Sequence, residues 1–217
     1  MSERVTFGES SGLLFHPDVP SAPAVVIVHE WWGLNEQMQA LGERWAKAGF
    51  VALIPDLFHG KVVPIGHAED AQKAMASLDF PHAVKELVAA VEYAKTRSTG
   101  KVAVTGYCMG GALTFLTACN AKGLAAVVPF YGMPPSAEWS KLEAPVQAHF
   151  AKHDDWATVD GAKQLQATLA ELHKSMELHV YDANHAFCND RRPEVFNAAA
   201  SSQAWDRAVA FVRRHTT

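Results

Sequence analysis

The feature that most constrains the fold is Lys101–Ala118, where an apolar strand runs into a helix through a glycine-flanked cysteine. The run Lys101–Thr105 is typical of a buried strand, and Ala112–Ala118 is typical of a helix. Between them lies Gly106-Tyr-Cys108-Met-Gly110, where a side chain at either glycine would collide with neighbouring backbone. The segment therefore predicts a sharp strand-to-helix turn with the Cys108 side chain at its apex.

Strands and helices are predicted to alternate along the whole chain. The predicted strands are Leu13–Phe15 at an edge, Ala24–Val28, Phe50–Ile54, Lys101–Thr105, Leu124–Phe130, Val146–Ala151 and Met176–Tyr181. The predicted helices, besides the one after the turn, are Glu36–Ala48, Ala68–Lys95 with a break at Asp79–Pro81, Val159–His173 and Pro193–His215. Such alternation favours an α/β fold, a mostly parallel, doubly wound sheet flanked by helices. At 217 residues we expect one domain, 1–217.

Composition narrows the classes of partner. The hydrophobic fraction is 49% and the charged fraction 19%, as in an ordinary globular enzyme. The formal net charge is −4, and no basic run stands out, so neither nucleic acid nor an anionic membrane is an expected partner. We find neither an apolar run of membrane-spanning length nor a leader-like segment, and therefore expect a cytoplasmic protein.

The cysteines and histidines do not form metal or disulfide patterns. The three cysteines are Cys108, Cys119 and Cys188, and no two are spaced as Cys-x-x-Cys. The 11 histidines are scattered, without a His-x-x-x-His pair. We therefore expect no metal and no cofactor, a packing role for Cys119, and no catalytic role for Cys188.

Four predicted strands end in loops that carry reactive side chains. In parallel sheets the site lies beyond the carboxyl ends of the strands, which here are Val28, Thr105, Ala151 and Tyr181. The loop after Thr105 carries Cys108. The other loops carry, in chain order, Glu30, the run His153-Asp154-Asp155, and Asp182 with His185.

The order nucleophile, acid, histidine is that of α/β-hydrolases, and Gly-x-Cys-x-Gly is similar to their nucleophile elbow with cysteine for serine. Cys108 would attack as thiolate, and His185 would take its proton and later activate water. The acid that orients the imidazole is Asp154, Asp155 or Asp182. Asp154 could instead cap the following turn, and Asp182 could shape the turn toward His185. We expect Asp155, because it lies on the loop after the later strand.

Nearly the whole chain resembles the dienelactone hydrolase family. The motifs that carry the resemblance are Val28-His-Glu30-Trp-Trp-Gly33-Leu-Asn35, Pro55-Asp-Leu57, Gly106-Tyr-Cys-Met-Gly-Gly111, Tyr131-Gly132, Asp155 and Asn184-His185-Ala-Phe187. The resemblance implies an α/β-hydrolase fold, hydrolysis of a small-molecule ester or lactone, and a Cys-His-Asp triad.

The same resemblance implies roles for residues around the nucleophile. Glu30 matches a glutamate that contacts the catalytic cysteine and helps to generate the thiolate when substrate binds. A carboxylate beside a thiol disfavours ionisation of both groups, so the resting sulfur would stay neutral. The backbone N–H groups of Met109 and Trp31 match the oxyanion hole.

The chain departs from the family at the substrate side. The family holds its substrate's carboxylate with two arginines, and here the matching positions are Asn189 and the neighbourhood of Ala68. Arg191 and Arg192 lie close to the first position, but we interpret them as surface residues. We therefore expect a neutral or hydrophobic substrate.

Aromatic residues beside the reactive groups are the candidates for substrate binding. We predict this role for Trp32, Trp156, Tyr131 and Phe187. The alternatives to an ester or lactone hydrolase are a ligand-binding protein without turnover, and a hydrolase of thioesters, peptides or phosphotriesters. We expect a monomer or a homodimer.

Overall fold

A computed structural model of the chain describes residues 2–217 and contains an eight-stranded sheet. The strands are β1 (Ser2–Phe7), β2 (Ser10–Phe15), β3 (Ala24–Val28), β4 (Val51–Pro55), β5 (Val102–Tyr107), β6 (Ala126–Phe130), β7 (Val146–His153) and β8 (Met176–Asn184). The helices are α1 (Glu36–Lys47), α2 (Ala68–Ala76), α3 (Phe80–Thr96), α4 (Met109–Ala118), α5 (Val159–Glu171) and α6 (Ala198–Thr216), with a 3₁₀ turn at Trp139–Lys141.

The strands are arranged in the order β1-β2-β4-β3-β5-β6-β7-β8. The pairs β1–β2 and β2–β4 are antiparallel, and all later pairs are parallel. This confirms the predicted doubly wound, mostly parallel sheet of an α/β-hydrolase. The carboxyl ends of β3, β5, β7 and β8 consequently open on one edge of the sheet.

Helices cover both faces because the central strands are apolar on both. All five residues of β3 are buried, with Val25 and Ile27 on one face and Val26 and Val28 on the other. Helices α1 and α6 pack on the first face, and α3, α4 and α5 on the second. Within residues 2–217, no helix combines the length and apolar character that crossing a membrane requires.

The structure confirms the predicted helix break near Pro81. Helix α2 ends at Ala76 and α3 begins at Phe80, capped by the Asp79 side chain, which accepts a hydrogen bond of 3.1 Å from the backbone N–H of His82. Pro81 lies in the first turn of α3, where a missing N–H costs no hydrogen bond.

Two predictions of element position were wrong. Leu13–Phe15 is not at the edge, because Ser2–Phe7 forms an outer strand whose polar, largely exposed residues give a weak strand signal. The last helix begins at Ala198 rather than Pro193, because Asn197 caps it by accepting a hydrogen bond from Ala200.

Candidate active site

Cys108 lies at the apex of the turn between β5 and α4. Its backbone has φ 57° and ψ −121°, a left-handed conformation that is strained for a residue with a side chain. A Cβ atom at Gly106 would collide with the carbonyl oxygen of Gly110, and one at Gly110 with the carbonyl oxygen of Val28. The two glycines therefore let α4 approach the sheet, which fixes the strained turn from both sides.

The Cys108 sulfur is held as a neutral thiol in the resting protein. The residue is 4% exposed, and its pKa lies well above the usual value, first because of burial and then because of the negative charge of Glu30. The backbone N–H groups of Met109 and Trp31 face the sulfur and oppose this rise. Two amide donors therefore face the sulfur, where the negative charge of a thiolate would develop.

Asp154 holds His185 in one orientation. The Oδ2 atom of Asp154 lies 2.6 Å from Nδ1 of His185, and its Oδ1 atom accepts hydrogen bonds of 2.9 Å from the N–H groups of Trp156 and Ala157. Burial raises the pKa of Asp154, but the bond to His185 and the two amides outweigh it, and the pKa is lowered overall. The carboxylate is thus charged, so Nδ1 donates and Nε2 is left as a base.

The ends of β7 and β8 bring these two residues together. The strands pair in parallel from Val146 opposite Met176, and a register shift lies between Ala151 and His153. Asp154 follows the last residue of β7 and His185 follows the last residue of β8.

The carboxylate that contacts His185 is Asp154, one residue before the Asp155 that the sequence led us to expect. The Asp155 side chain is exposed, and Asp182 is exposed as well and pairs with His153 at 2.8 Å. Strand β7 extends two residues beyond its predicted end, so the first carboxylate past the strand, Asp154, faces His185. The Asp154 carboxylate has both roles: one oxygen caps the next turn, and the other holds His185.

Glu30 is a second buried carboxyl beside the sulfur. It is 2% exposed, its Oε1 accepts from the Tyr131 hydroxyl at 3.3 Å, and its Oε2 accepts from Nδ2 of Asn189 at 2.7 Å. Burial raises the pKa of Glu30, against the bond from Asn189 and the positive charges of His185 and Arg192. Its hydrogen-bond donors are neutral, so burial dominates.

Sequence reasoning missed His29, which anchors the loop carrying Glu30 and Trp31. The ring is fully buried, and its Nε2 accepts from the N–H of Leu57 at 3.2 Å. Nδ1 therefore carries the proton and donates it to the carbonyl oxygen of Glu30 at 2.7 Å. The available signal was a histidine directly after a buried strand, together with the Pro55-Asp-Leu57 motif that it contacts.

The four predicted substrate-binding residues separate into two groups. Trp156 is 55% exposed, and its ring centroid lies 5.5 Å from that of His185. Trp32, Tyr131 and Phe187 are instead buried, at 2%, 0% and 0% exposure. These three rings pack in the core and do not line the apolar cleft described below, and the Tyr131 hydroxyl is directed at Glu30.

The two arginines near Asn189 stay outside the cysteine's immediate surroundings. Arg192 pairs with Glu194 at 2.8 Å and its guanidinium lies 6.0 Å from the Trp32 ring centroid. The Arg191 side chain is exposed. Asn189, fully buried, thus directs a neutral amide at Glu30 where the family pattern has a cation.

An apolar cleft of about 730 Å³ is lined by Met109, one of the two amide donors, and by the exposed Trp156. Such a volume is typical of a small-molecule site. Its lining contains no charged side chain among the described residues: Met75, Ala76, Leu78, Phe80, Met109, Ala112, Leu116, Met133, Pro134, Pro135, Ser136 and Trp156.

Comparison with known proteins points to one family. The model of the dienelactone hydrolase family matches residues 11–216. A carboxymethylenebutenolidase of a Pseudomonas species is 32% identical over 205 residues, covering 88% of this chain and 84% of that protein. Carboxymethylenebutenolidase 1 of Cupriavidus pinatubonensis is 31% identical over 215 residues, covering 93% and 90%.

Solved structures extend the comparison to the fold. The structure of a dienelactone hydrolase-like promiscuous phosphotriesterase from metagenomic libraries superimposes with a TM-score of 0.89, covering 100% of this chain and 99% of that one. The two sequences are 19% identical, so this likeness concerns the architecture alone.

Proposed function

The chain belongs to the dienelactone hydrolase family and is a hydrolase of lactone or ester bonds, and from this premise we propose that it acts through Cys108, His185 and Asp154 on a small, neutral or hydrophobic substrate. The observation that carries the proposal is the 2.6 Å contact between Asp154 and His185, on strand ends beside a buried cysteine at a strained turn. This is the arrangement that nucleophilic acyl transfer requires.

The first half of the proposed reaction transfers the acyl group to sulfur. The carbonyl oxygen of the substrate accepts hydrogen bonds from the N–H groups of Met109 and Trp31. The Cys108 thiol gives its proton to Nε2 of His185, directly or by way of Glu30, and its sulfur bonds to the carbonyl carbon while the carbonyl π electrons move to oxygen. When the tetrahedral intermediate collapses, the carbon–oxygen bond breaks and the protonated His185 gives its proton to the leaving oxygen.

The second half releases the acid. Water enters on the side of His185, whose side chain is 26% exposed, and His185 takes a proton from the water as its oxygen attacks the thioester. The carbon–sulfur bond then breaks, and the sulfur recovers its proton from His185. Asp154 stabilises the imidazolium in both halves.

Glu30 is proposed to share the proton that Cys108 releases. A buried carboxyl next to the sulfur raises the thiol pKa when it is ionised and can accept the thiol proton when substrate displaces nearby water. In this role Glu30 keeps the sulfur unreactive until a substrate arrives.

The preference for a neutral substrate rests on the lining of the cleft. None of its described side chains carries a charge. Asn189 directs its amide at Glu30 and cannot offer the bidentate anion contact of an arginine. Binding an anionic substrate there would leave its charge unpaired.

The test is hydrolysis of p-nitrophenyl acetate and of a simple neutral lactone by purified protein. The Cys108→Ala variant should lose at least about 10⁴-fold in kcat/KM, because no other group can form the acyl intermediate. Cys119→Ala is the matched control, since Cys119 is buried at the end of α4, and it should stay within about twofold.

Two outcomes would contradict the proposal. Undiminished turnover in Cys108→Ala would show that the cysteine takes no part in the reaction. Release of one equivalent of nitrophenol by the wild type, with no further turnover, would instead favour a ligand-binding protein that is only acylated by activated esters.

A further inference from the structure

The apolar cleft beside Met109 is continued by a second space on the outer side of α3 and α4. This groove measures about 560 Å³, and its lining includes Val84 and Val88 of α3. Phe80 and Leu116 line both spaces, so the cleft and the groove share one wall.

The shared wall consists of two residues, Phe80 and Leu116. Phe80 begins α3 and Leu116 lies in α4, and both are half-buried. Side chains of partly exposed residues change rotamer rapidly, whereas a backbone wall would require a helix to move. A slender apolar group can therefore pass between the two spaces.

We propose that the cleft and the groove form one subsite for an unbranched, apolar acyl chain, so that the enzyme favours esters of medium- and long-chain acids. This inference rests on the proposed function, because it takes the acyl group to be bound to Cys108. The chain runs from the sulfur over Met109, passes between Phe80 and Leu116, and ends along Val84 and Val88.

The acyl group, rather than the alcohol, belongs in this subsite for a mechanistic reason. The alcohol must depart and water must arrive at His185, whose side chain is partly exposed. The acyl group stays attached while this exchange takes place. The cleft lies along Met109 and Ala112, at the start of the helix that begins directly after Cys108, and thus beside the atom that retains the acyl group.

The polarity of the lining fits a hydrocarbon that ends near solvent. Lys85 is the only charged residue among the described residues that line either space, and it is exposed at the outer groove. Its ammonium group makes no ion pair within residues 2–217 and can stay hydrated while its stem covers apolar surface.

The experiment measures kcat/KM for p-nitrophenyl esters from acetate to decanoate, with a parallel series of acetate esters of alcohols of increasing length. Full burial of each added methylene should raise kcat/KM by up to about fourfold. In the wild type we expect kcat/KM to rise from acetate at least to octanoate in the acyl series, and to change little in the alcohol series.

Three tryptophan variants locate the subsite. Leu116→Trp places a larger side chain in the shared wall between the two spaces. It should lower the ratio of kcat/KM for decanoate to that for butyrate at least tenfold. Val88→Trp narrows only the outer groove. It should lower kcat/KM for the longest acyl chains alone. Leu172→Trp, at an exposed position at the end of α5 that lines neither space, is the matched control and should leave the ratio unchanged.

The results separate failure of this inference from failure of the proposed function. Acetate hydrolysis that depends on Cys108, with kcat/KM falling beyond butyrate, would overturn the acyl subsite and leave the hydrolase intact. A ratio that Leu116→Trp and Val88→Trp both leave unchanged, in variants with wild-type circular dichroism, would overturn it as well. So would a chain-length gain confined to the alcohol series. Loss of hydrolysis for every ester would instead count against the proposed function.

Discussion

Two buried carboxyl groups flank the proposed reaction centre, and their surroundings shift their pKa values in opposite directions. Asp154 is held by His185 and by two backbone amides, and its pKa is lowered. Glu30 has only the Tyr131 hydroxyl and the Asn189 amide as hydrogen-bond donors, and its pKa is raised. Similar acids thus become a permanent anion and a group that can exchange a proton.

The contrast follows from the elements that carry them. Asp154 follows the end of β7, where the next turn supplies free N–H groups to a charged side chain. Glu30 follows β3, which is central and buried, and its loop is tied by His29 to the loop after β4. The first position provides charge-assisted hydrogen bonds, while the second provides mainly burial.

The largest expected effect comes from removing the permanent anion. Asp154→Asn should lower kcat/KM by about 10³- to 10⁴-fold, because an amide cannot stabilise the imidazolium or fix its tautomer. Asp155→Asn changes the exposed neighbour and should stay within about twofold. Steady-state hydrolysis of p-nitrophenyl acetate measures both, and a larger loss in Asp155→Asn would reverse our correction of the acid.

The next effect separates the reactivity of the thiol from turnover. Glu30→Gln should lower kcat/KM by about 10²-fold, since a proton acceptor is lost. The same change should lower the pKa of Cys108, because burial still raises it but the neighbouring charge is gone. Alkylation of Cys108 by iodoacetamide should therefore begin at lower pH, as followed by mass spectrometry of the modified peptide. An unchanged alkylation profile would show that Glu30 does not influence the sulfur.

The two carboxyls should also make opposite contributions to the pH dependence of stability. The lowered pKa of Asp154 stabilises the fold above pH 3.8, and this stabilisation is lost as the pH falls through its folded pKa. The raised pKa of Glu30 has the opposite effect on stability. The stabilisation from Glu30 is fully present below pH 4.5 and is lost as the pH rises through its folded pKa.

Thermal unfolding between pH 3 and pH 8 measures this contrast. Relative to the wild type, Asp154→Asn should be more destabilised at high pH than at low pH, and Glu30→Gln should be more destabilised at low pH. Each slope is at most about 1.4 kcal/mol in the free energy of unfolding per pH unit. Parallel curves for the two variants would refute the opposite shifts.

The smallest expected effect concerns the distant cation. The positive charge of Arg192 lowers the pKa of Glu30, so Arg192→Gln should raise this pKa slightly and move the acid limb of the pH–rate profile to higher pH. Arg191→Gln removes an exposed guanidinium that contributes no such charge effect, and should leave that limb in place. A shift of equal size in both variants would indicate a general effect of net charge.

Much of the candidate site could be predicted from the chain because its residues follow the ends of strands. The position of Cys108 depends on local glycine spacing, and Glu30 and His185 lie two residues beyond β3 and one residue beyond β8. The choice between neighbouring carboxylates could not be made from the sequence. Lys152 and His153 are polar but belong to β7, and only the fold shows that Asp154, directly past the strand, contacts His185.

Other features depend on tertiary packing that spacing does not encode. Trp32 and Trp156 both flank an acidic residue, yet the first is buried and the second is exposed. The contact between Asn189 and Glu30 joins residues far apart in the chain, and only the folded sheet brings them together. Phe187 likewise completes the core beneath Tyr131, with ring centroids 5.2 Å apart.

The central claim is that Cys108 carries the acyl group while His185 and Asp154 activate water. The most direct measurement is mass spectrometry of protein that is acid-quenched during turnover of p-nitrophenyl butyrate, in the wild type and in His185→Gln. The account predicts a butyryl adduct on the peptide containing Cys108, with a larger fraction in His185→Gln because deacylation requires the base. No adduct in either protein, or an adduct on Cys119 or Cys188 alone, would contradict it.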